Sequence, residues 1–134
     1  MTLDPNLKSK GHILIVDDDP DIINLCRIFL KPLKCKVVSS SSPQNALQVL
    51  VANEIDLLIV DLMMPKIDGF EFIRRLKATE VFRGSILILT AIADTESVKM
   101  AIQLGAVDYI CKPLDRSIFI SKVQKALKAQ GCSI

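Results

Sequence analysis

Leu57–Gly69 reads LLIVDLMMPKIDG, and the reading of this stretch decides the fold. Four consecutive apolar residues, Leu57, Leu58, Ile59 and Val60, match a strand buried on both faces, the kind found inside parallel sheets. The run stops at an acid, Asp61. Met63, Met64 and Pro65 then turn the chain, and Asp68-Gly69 opens an amphipathic segment with Phe70, Ile73 and Leu76 at helical spacing. A carboxylate where a buried strand meets a loop has two readings. It caps a turn, or it lies in the crevice beyond the carboxyl ends of the strands, where open α/β sheets bind ligands.

Upstream, residues 12–16 (HILIV) form a second apolar run that ends in Asp17, Asp18 and Asp19. Asp19 suits a helix N-cap and Pro20 the first helical position, and Ile22, Cys26, Phe29, Leu30 and Leu33 recur on one helix face. Residues 36–39 are β-branched and strand-like. Ser42-Pro43 is another cap-and-proline start, with Ala46, Leu47, Leu50 and Val51 as the apolar face that follows.

Downstream of the opening stretch, SILILT (85–90) is a fourth strand ending in a hydroxyl, Thr90. Asp94 or Thr95 caps a helix carrying Val98, Ala101 and Ile102, which Gly105 stops. Residues 108–111 are a fifth strand, Lys112-Pro113 follows, and Asp115 caps a last helix to about Lys128 with Phe119, Val123 and Leu127 inside.

Five short strands alternating with five helices predict an α/β fold, a single (βα)5 doubly wound parallel sheet. Right-handed crossovers favour the flavodoxin-like strand order 2-1-3-4-5, which makes the first and third strands neighbours. Asp17, Asp18 and Asp61 then converge at one end of the sheet. The expected organisation is a loose leader over residues 1–11, one domain over 12–130 and a tail over 131–134.

Composition bounds the function. Half of the 134 residues are hydrophobic and mostly aliphatic, enough for one core without a disulfide or metal staple. A net charge of +2 with no long basic run gives no electrostatic case for nucleic acid. Cys26, Cys35, Cys111 and Cys132 form no Cys-x-x-Cys pair and His12 is the sole histidine, which argues against zinc and dithiol chemistry. Cys26 and Cys111 lie in apolar segments and read as small buried hydrophobes. The first residues form no signal peptide and no apolar run reaches about 20 residues, so the expectation is a soluble, cytoplasmic protein without membrane association.

Five residues are expected just beyond strand ends: Asp17, Asp18, Asp61, Thr90 and Lys112. Clustered carboxylates repel and raise one another's pKa values unless a cation joins them. Hard oxygen donors suit Mg²⁺, with Mn²⁺ as a substitute, and Mg²⁺ binds through one or two carboxylates plus a phosphate. Lys112 offers a compact positive charge to a phosphoryl oxygen, and Thr90 a hydroxyl donor. Asp61 is then a candidate nucleophile, because an aspartyl phosphate is an established type of covalent intermediate.

ILIVDDDP, DLMMPKIDG, the LTA after the fourth strand and DYICKPL, in this order and spacing, carry a resemblance to the receiver domain of two-component response regulators over about residues 12–128. The resemblance implies that Asp61 accepts a phosphoryl group from a sensor histidine kinase, a histidine phosphotransfer protein or a small phosphodonor. It implies that Asp17, Asp18, Asp61 and the backbone carbonyl of Met63 hold Mg²⁺, while Thr90 and Lys112 take phosphoryl oxygens. Tyr109 matches the aromatic switch, biased by movement of Thr90, and Asp19 is only the cap. Phosphorylation adds about −1.5 to −2 charges and shifts a two-state equilibrium. The fourth helix, fifth strand and fifth helix, over segments 95–105 and 115–128, then report to an output partner, with homodimerisation on phosphorylation left open. Such a domain is a phosphoacceptor that catalyses only its own phosphorylation and dephosphorylation, and in this family Lys112-Pro113 is cis.

Met63 and Ile92 are apolar where related proteins often place residues that orient the hydrolytic water, so a long-lived acyl phosphate is expected. Two other readings compete. Asp17 and Asp19 form an Asp-x-Asp at a strand end, as in haloacid-dehalogenase-type phosphohydrolases, with Asp17 as nucleophile and Asp19 as acid/base. A receiver-like scaffold without turnover, or a flavodoxin-like cofactor binder, is the other, although three acids after the first strand repel a flavin phosphate. No output domain is recognisable after Lys128, which leaves a stand-alone receiver and an excised piece as alternatives.

Overall fold

The computed structural model describes residues 10–64, 69–91 and 94–133. Asp68, the expected opening of the third helix, together with Pro65 and Ile92, lies outside them. The elements follow in the order β1 (His12–Val16), α1 (Pro20–Leu30), β2 (Lys36–Ser40), α2 (Pro43–Ala52), β3 (Leu57–Asp61), α3 (Gly69–Thr79), β4 (Ser85–Thr90), α4 (Thr95–Gln103), β5 (Asp108–Cys111) and α5 (Arg116–Ala129). The strands form one parallel sheet in the order β2-β1-β3-β4-β5. This is the doubly wound (βα)5 arrangement that the alternating pattern predicts.

Side-chain alternation splits each central strand between two cores. Leu14, Val16, Leu58, Val60, Ile86 and Ile88 face α2, α3 and α4, where Ala46, Leu50, Phe72, Ile73, Leu76 and Ala101 meet them. Ile13, Ile15, Leu57, Ile59, Leu87, Leu89 and Ile110 face α1 and α5, against Cys26, Leu30, Phe119, Val123 and Leu127. β3 and β4 are buried at every residue, which fixes the acid and the hydroxyl at their ends in a rigid frame.

Four helix starts are capped as their sequences dictate. The side chains of Asp19, Ser42, Asp94 and Asp115 accept from the backbone N–H groups of Asp21, Asn45, Ser97 and Ile118. Gly105 follows the Leu104 C-cap with φ +118°, a conformation that favours glycine.

Several expected core positions differ. α1 ends at Leu30, and Leu33 belongs to a separate 3₁₀ turn (Lys31–Leu33), because Pro32 lacks the N–H that would continue the helix. Val51 is exposed and Val49 packs instead, since Val51 lies about 140° around the helix from Ala46. Ile102 is likewise exposed beside the buried Ala101. In α3 the buried positions are Gly69, Phe72, Ile73 and Leu76, with Phe70 only half-buried. Cys26 is buried as expected, but Cys111 is exposed. It ends the edge strand β5, beyond Ile110, which fills the α1/α5 core.

Candidate phosphoacceptor site

Asp17 follows β1 directly, and its N–H donates to the Ser40 carbonyl at the end of β2 (3.1 Å). Asp61 ends β3, opposite Leu89 of β4. Because β1 and β3 are adjacent, the two acids meet at the carboxyl end of the sheet, with Asp18 on the solvent side. One carboxylate oxygen from each of Asp17, Asp18 and Asp61 lies within 4.8 Å of the other two. Asp17 and Asp61 are buried and Asp18 is exposed, so the cluster opens to solvent on one side.

Lys112 is delivered by the next strands. Its N–H donates to the Thr90 carbonyl (2.8 Å), and the Lys112-Pro113 peptide bond is cis. Lys112 Nζ lies 3.0 Å from Asp61 Oδ2 and 3.1 Å from Asp17 Oδ2. The Asp61 contact is a hydrogen bond, whereas Asp17 Oδ2 is buried without one, so its link to Lys112 is an ion pair by distance alone. The remaining oxygens are held by local backbone: Asp19 N–H donates to Asp17 Oδ1 (2.9 Å) and Met63 N–H to Asp61 Oδ1 (3.0 Å).

Burial pushes the Asp17 carboxyl above its ordinary pKa, and the Asp61 charge adds to this, against the lowering effects of the Asp19 N–H and Lys112. Burial alone depresses Lys112, but its carboxylate partners Asp61 and Asp17 more than offset that and hold its pKa above the usual value. An acidic pocket in which a buried carboxylate oxygen has an ion pair but accepts no hydrogen bond fits a hard divalent cation, which Asp17, Asp18 and Asp61 could hold.

Each expected site residue can now be placed. Asp17, Asp18, Asp61 and Lys112 come together. Thr90 is buried at the end of β4, opposite Cys111 in register and bonded through its carbonyl to Lys112. Met63 turns its side chain to solvent while its N–H secures Asp61. Asp19 accepts from Asp21 N–H as the α1 cap. Tyr109 is half-buried on β5, separated by β4 from the strand that ends in Asp61. Sequence reading missed Lys122, whose Nζ stands 4.4 Å from the centre of the Tyr109 ring. A lysine thirteen positions away on a helix gives no pattern that announces this.

A doubly wound sheet with acids beyond its central strands, a lysine beside them and a buried hydroxyl defines the class of phosphate-handling α/β signalling domains. Comparison with known proteins makes the assignment specific. The family model described as the response regulator receiver domain matches residues 13–124, and the chain belongs to that family. It is therefore a phosphoacceptor domain rather than a conventional enzyme, which sets aside the phosphohydrolase reading.

Among curated proteins, the chain is 33% identical over 116 residues to the response regulator GtcR of Aneurinibacillus migulanus, covering 87% of this chain and 47% of that protein. It is 30% identical to the response regulator SaeR of Staphylococcus aureus, covering 87% of this chain and 50% of that protein. The chain thus spans about half the length of these relatives. Among solved structures, a response regulator from Chloroflexus aurantiacus is 31% identical with TM-score 0.79, over 90% of this chain and 99% of that chain. The signal receiver domain of an HD-domain-containing protein from Pseudomonas fluorescens is 26% identical with TM-score 0.83, over 92% and 91%. Among the described residues, no helix is long and apolar enough to cross a membrane.

Proposed function

We propose that the chain is the receiver of a two-component phosphorelay, in which Asp61 takes a phosphoryl group from the phosphohistidine of a sensor histidine kinase or histidine phosphotransfer protein. The observation that carries this reading is the position of Asp61, at the end of a fully buried strand, within reach of Asp17, Asp18 and Lys112. An oxygen of Asp61 attacks phosphorus, the P–N bond breaks, and the electron pair leaves on the donor imidazole. Lys112 meets the charge that develops on the phosphoryl oxygens, and the Thr90 hydroxyl donates to another of them. Asp17, Asp18, Asp61 and the Met63 carbonyl would hold Mg²⁺, or Mn²⁺ in its place, which would supply positive charge to the same oxygens. Lys112 leaves its ion pair with Asp17 and Asp61 to do so.

Phosphorylation draws Thr90 toward the new charge and alters the position of Tyr109, so the α4-β5-α5 face reports the state to a partner or output domain. This face includes the exposed apolar residues Met100, Ile102, Val107 and Ile118, a surface suited to protein contact in the cytoplasm.

Incubation with a small phosphodonor and Mg²⁺ tests the reading. An acid-stable, alkali-labile label is expected in the wild type, lost in Asp61→Asn and lost on chelation of the metal. Label that persists in Asp61→Asn overturns the assignment.

A further inference from the structure

We propose that Lys122 is a positioning residue for the switch: its ammonium holds the Tyr109 ring at the open edge of the sheet and sets the threshold that phosphorylation of Asp61 has to overcome. The proposal rests on the reading of Tyr109 as the switch and adds the element that restrains it.

α5 buries Phe119, Val123 and Leu127 against the sheet, and Lys122, one residue before Val123, lies half-buried beside β5. Among the described residues β5 is an edge strand, paired with β4 alone. Lys122 Nζ donates to the Tyr109 carbonyl (2.5 Å) and to Asp108 Oδ1 (3.3 Å). An ammonium has three N–H donors. With two spent on these oxygens, its remaining positive face lies 4.4 Å from the Tyr109 ring centroid. The ring meanwhile packs against the apolar cluster under α2, α3 and α4. It therefore has aliphatic side chains on one side and a cation on the other.

These contacts differ in what they do when the ring moves. The bonds from Lys122 to the Tyr109 carbonyl and to Asp108 do not involve the ring, so they anchor the ammonium whichever rotamer the tyrosine adopts. The cation–π contact exists only while the ring stands at the edge. Only a contact that differs between two states shifts their balance. At a partly exposed site such a contact changes a population about two- to five-fold. Lys122 thus favours the resting position, and its backbone and Asp108 bonds keep it poised for the ring's return. The plainer role for Lys122, covering an edge carbonyl and neutralising Asp108, requires the anchoring bonds but not the ring.

Tyr109 is the sole tyrosine and there is no tryptophan, so labelling with 3-fluorotyrosine gives one ¹⁹F resonance that reports this ring alone. We would titrate the labelled protein with beryllofluoride and Mg²⁺, beryllofluoride standing in for the phosphoryl group on Asp61. In Lys122→Met, which keeps the stem and removes the charge, the unliganded resonance is expected to move toward the beryllofluoride-saturated position. Apparent beryllofluoride affinity should tighten about two- to five-fold. Lys122→Gln should repeat this, Lys122→Arg should restore wild-type behaviour, and Asp108→Asn should stay near wild type because the Tyr109 carbonyl still tethers the ammonium. A wild-type resonance and affinity in both Lys122→Met and Lys122→Gln overturns the proposal, as does an Asp108→Asn that reproduces their effect or an Arg variant that fails to rescue. A wild-type resonance that beryllofluoride does not move, as in Asp61→Asn, overturns the switch reading itself; a wild type that responds while the Lys122 variants match it overturns only the restraint.

Discussion

Lys112 lies between two buried carboxylates, and the two pKa shifts around it have opposite consequences for stability. Asp17 is raised above its ordinary value of 3.8, chiefly by burial and then by Asp61. Between that value and the folded-state pKa the native protein binds the extra proton, so stability falls as pH rises through the folded pKa. In metal-free protein the penalty grows as pH rises above 3.8 and is relieved on acidification. Asp17→Asn is therefore expected to raise the melting temperature at pH 7 in chelator, with an advantage that shrinks as pH falls toward 3.8; an advantage that grows on acidification contradicts the assignment. Lys112 is raised above 10.5, so its contribution is complete below that pH and is lost only as the folded-state pKa is passed in strong alkali. Met63 raises a separate, kinetic expectation. Its side chain is exposed beside Asp61 and offers no polar atom to orient a water. Met63→Asn should shorten the lifetime of the acyl phosphate, measured as decay of label after donor removal, whereas the native chain should hold phosphate well beyond seconds.

At the scale of elements, a constraint close to the site lies where α3 begins. A Cβ on Gly69 would lie 2.8 Å from the Leu62 Cα and 3.1 Å from the Asp61 carbonyl oxygen, both backbone atoms of the segment that carries the acid. Gly69→Ala has to displace that segment or the helix. The expected cost is about 1–3 kcal/mol in denaturant unfolding, typical of overpacking, with a fall in phosphorylation rate larger than that of an exposed-helix control such as Arg74→Ala. Unchanged stability and rate would mean that the β3–α3 junction yields freely. The elements were legible because each carries its own punctuation: Asp19-Pro20, Ser42-Pro43, Asp94 and Asp115 mark starts, and the runs ending at Val16, Val60 and Thr90 are strands by composition alone. Which side of a helix is buried was less legible. Val51 and Ile102 are apolar residues next to buried ones, and only the packed sheet shows that their angular positions face water. Cys111 looked interior because its neighbours are apolar, but β5 is an edge and its last residue has no strand beyond it.

The molecule as a whole couples the site to global stability, since Asp17 and Asp18 follow β1 and Asp61 ends β3, strands that contribute to both cores. The acids, the hydroxyl and Lys112 were legible together because a parallel sheet brings its strand ends to one edge, so five positions far apart in sequence become one place once the strand order is known. The Lys122–Tyr109 contact was not, because it depends on how α5 lies against an edge strand. Site and frame meet in a final expectation. Metal-free protein folds with Asp17, Asp18 and Asp61 mutually repelling and one buried oxygen without a hydrogen bond. A cation that binds these acids only in the folded state stabilises by mass action, about 2.7 kcal/mol at one hundred times its Kd. Because the ligands sit at the ends of the adjacent strands β1 and β3, these two strands cannot separate without losing the site. Mg²⁺ should accordingly shift a single unfolding transition upward by several degrees, followed by far-UV circular dichroism, and the shift should vanish in Asp61→Ala and with monovalent salt at equal ionic strength. A two-step melt in which Mg²⁺ moves only the first step would separate the acid cluster from the core on which it stands.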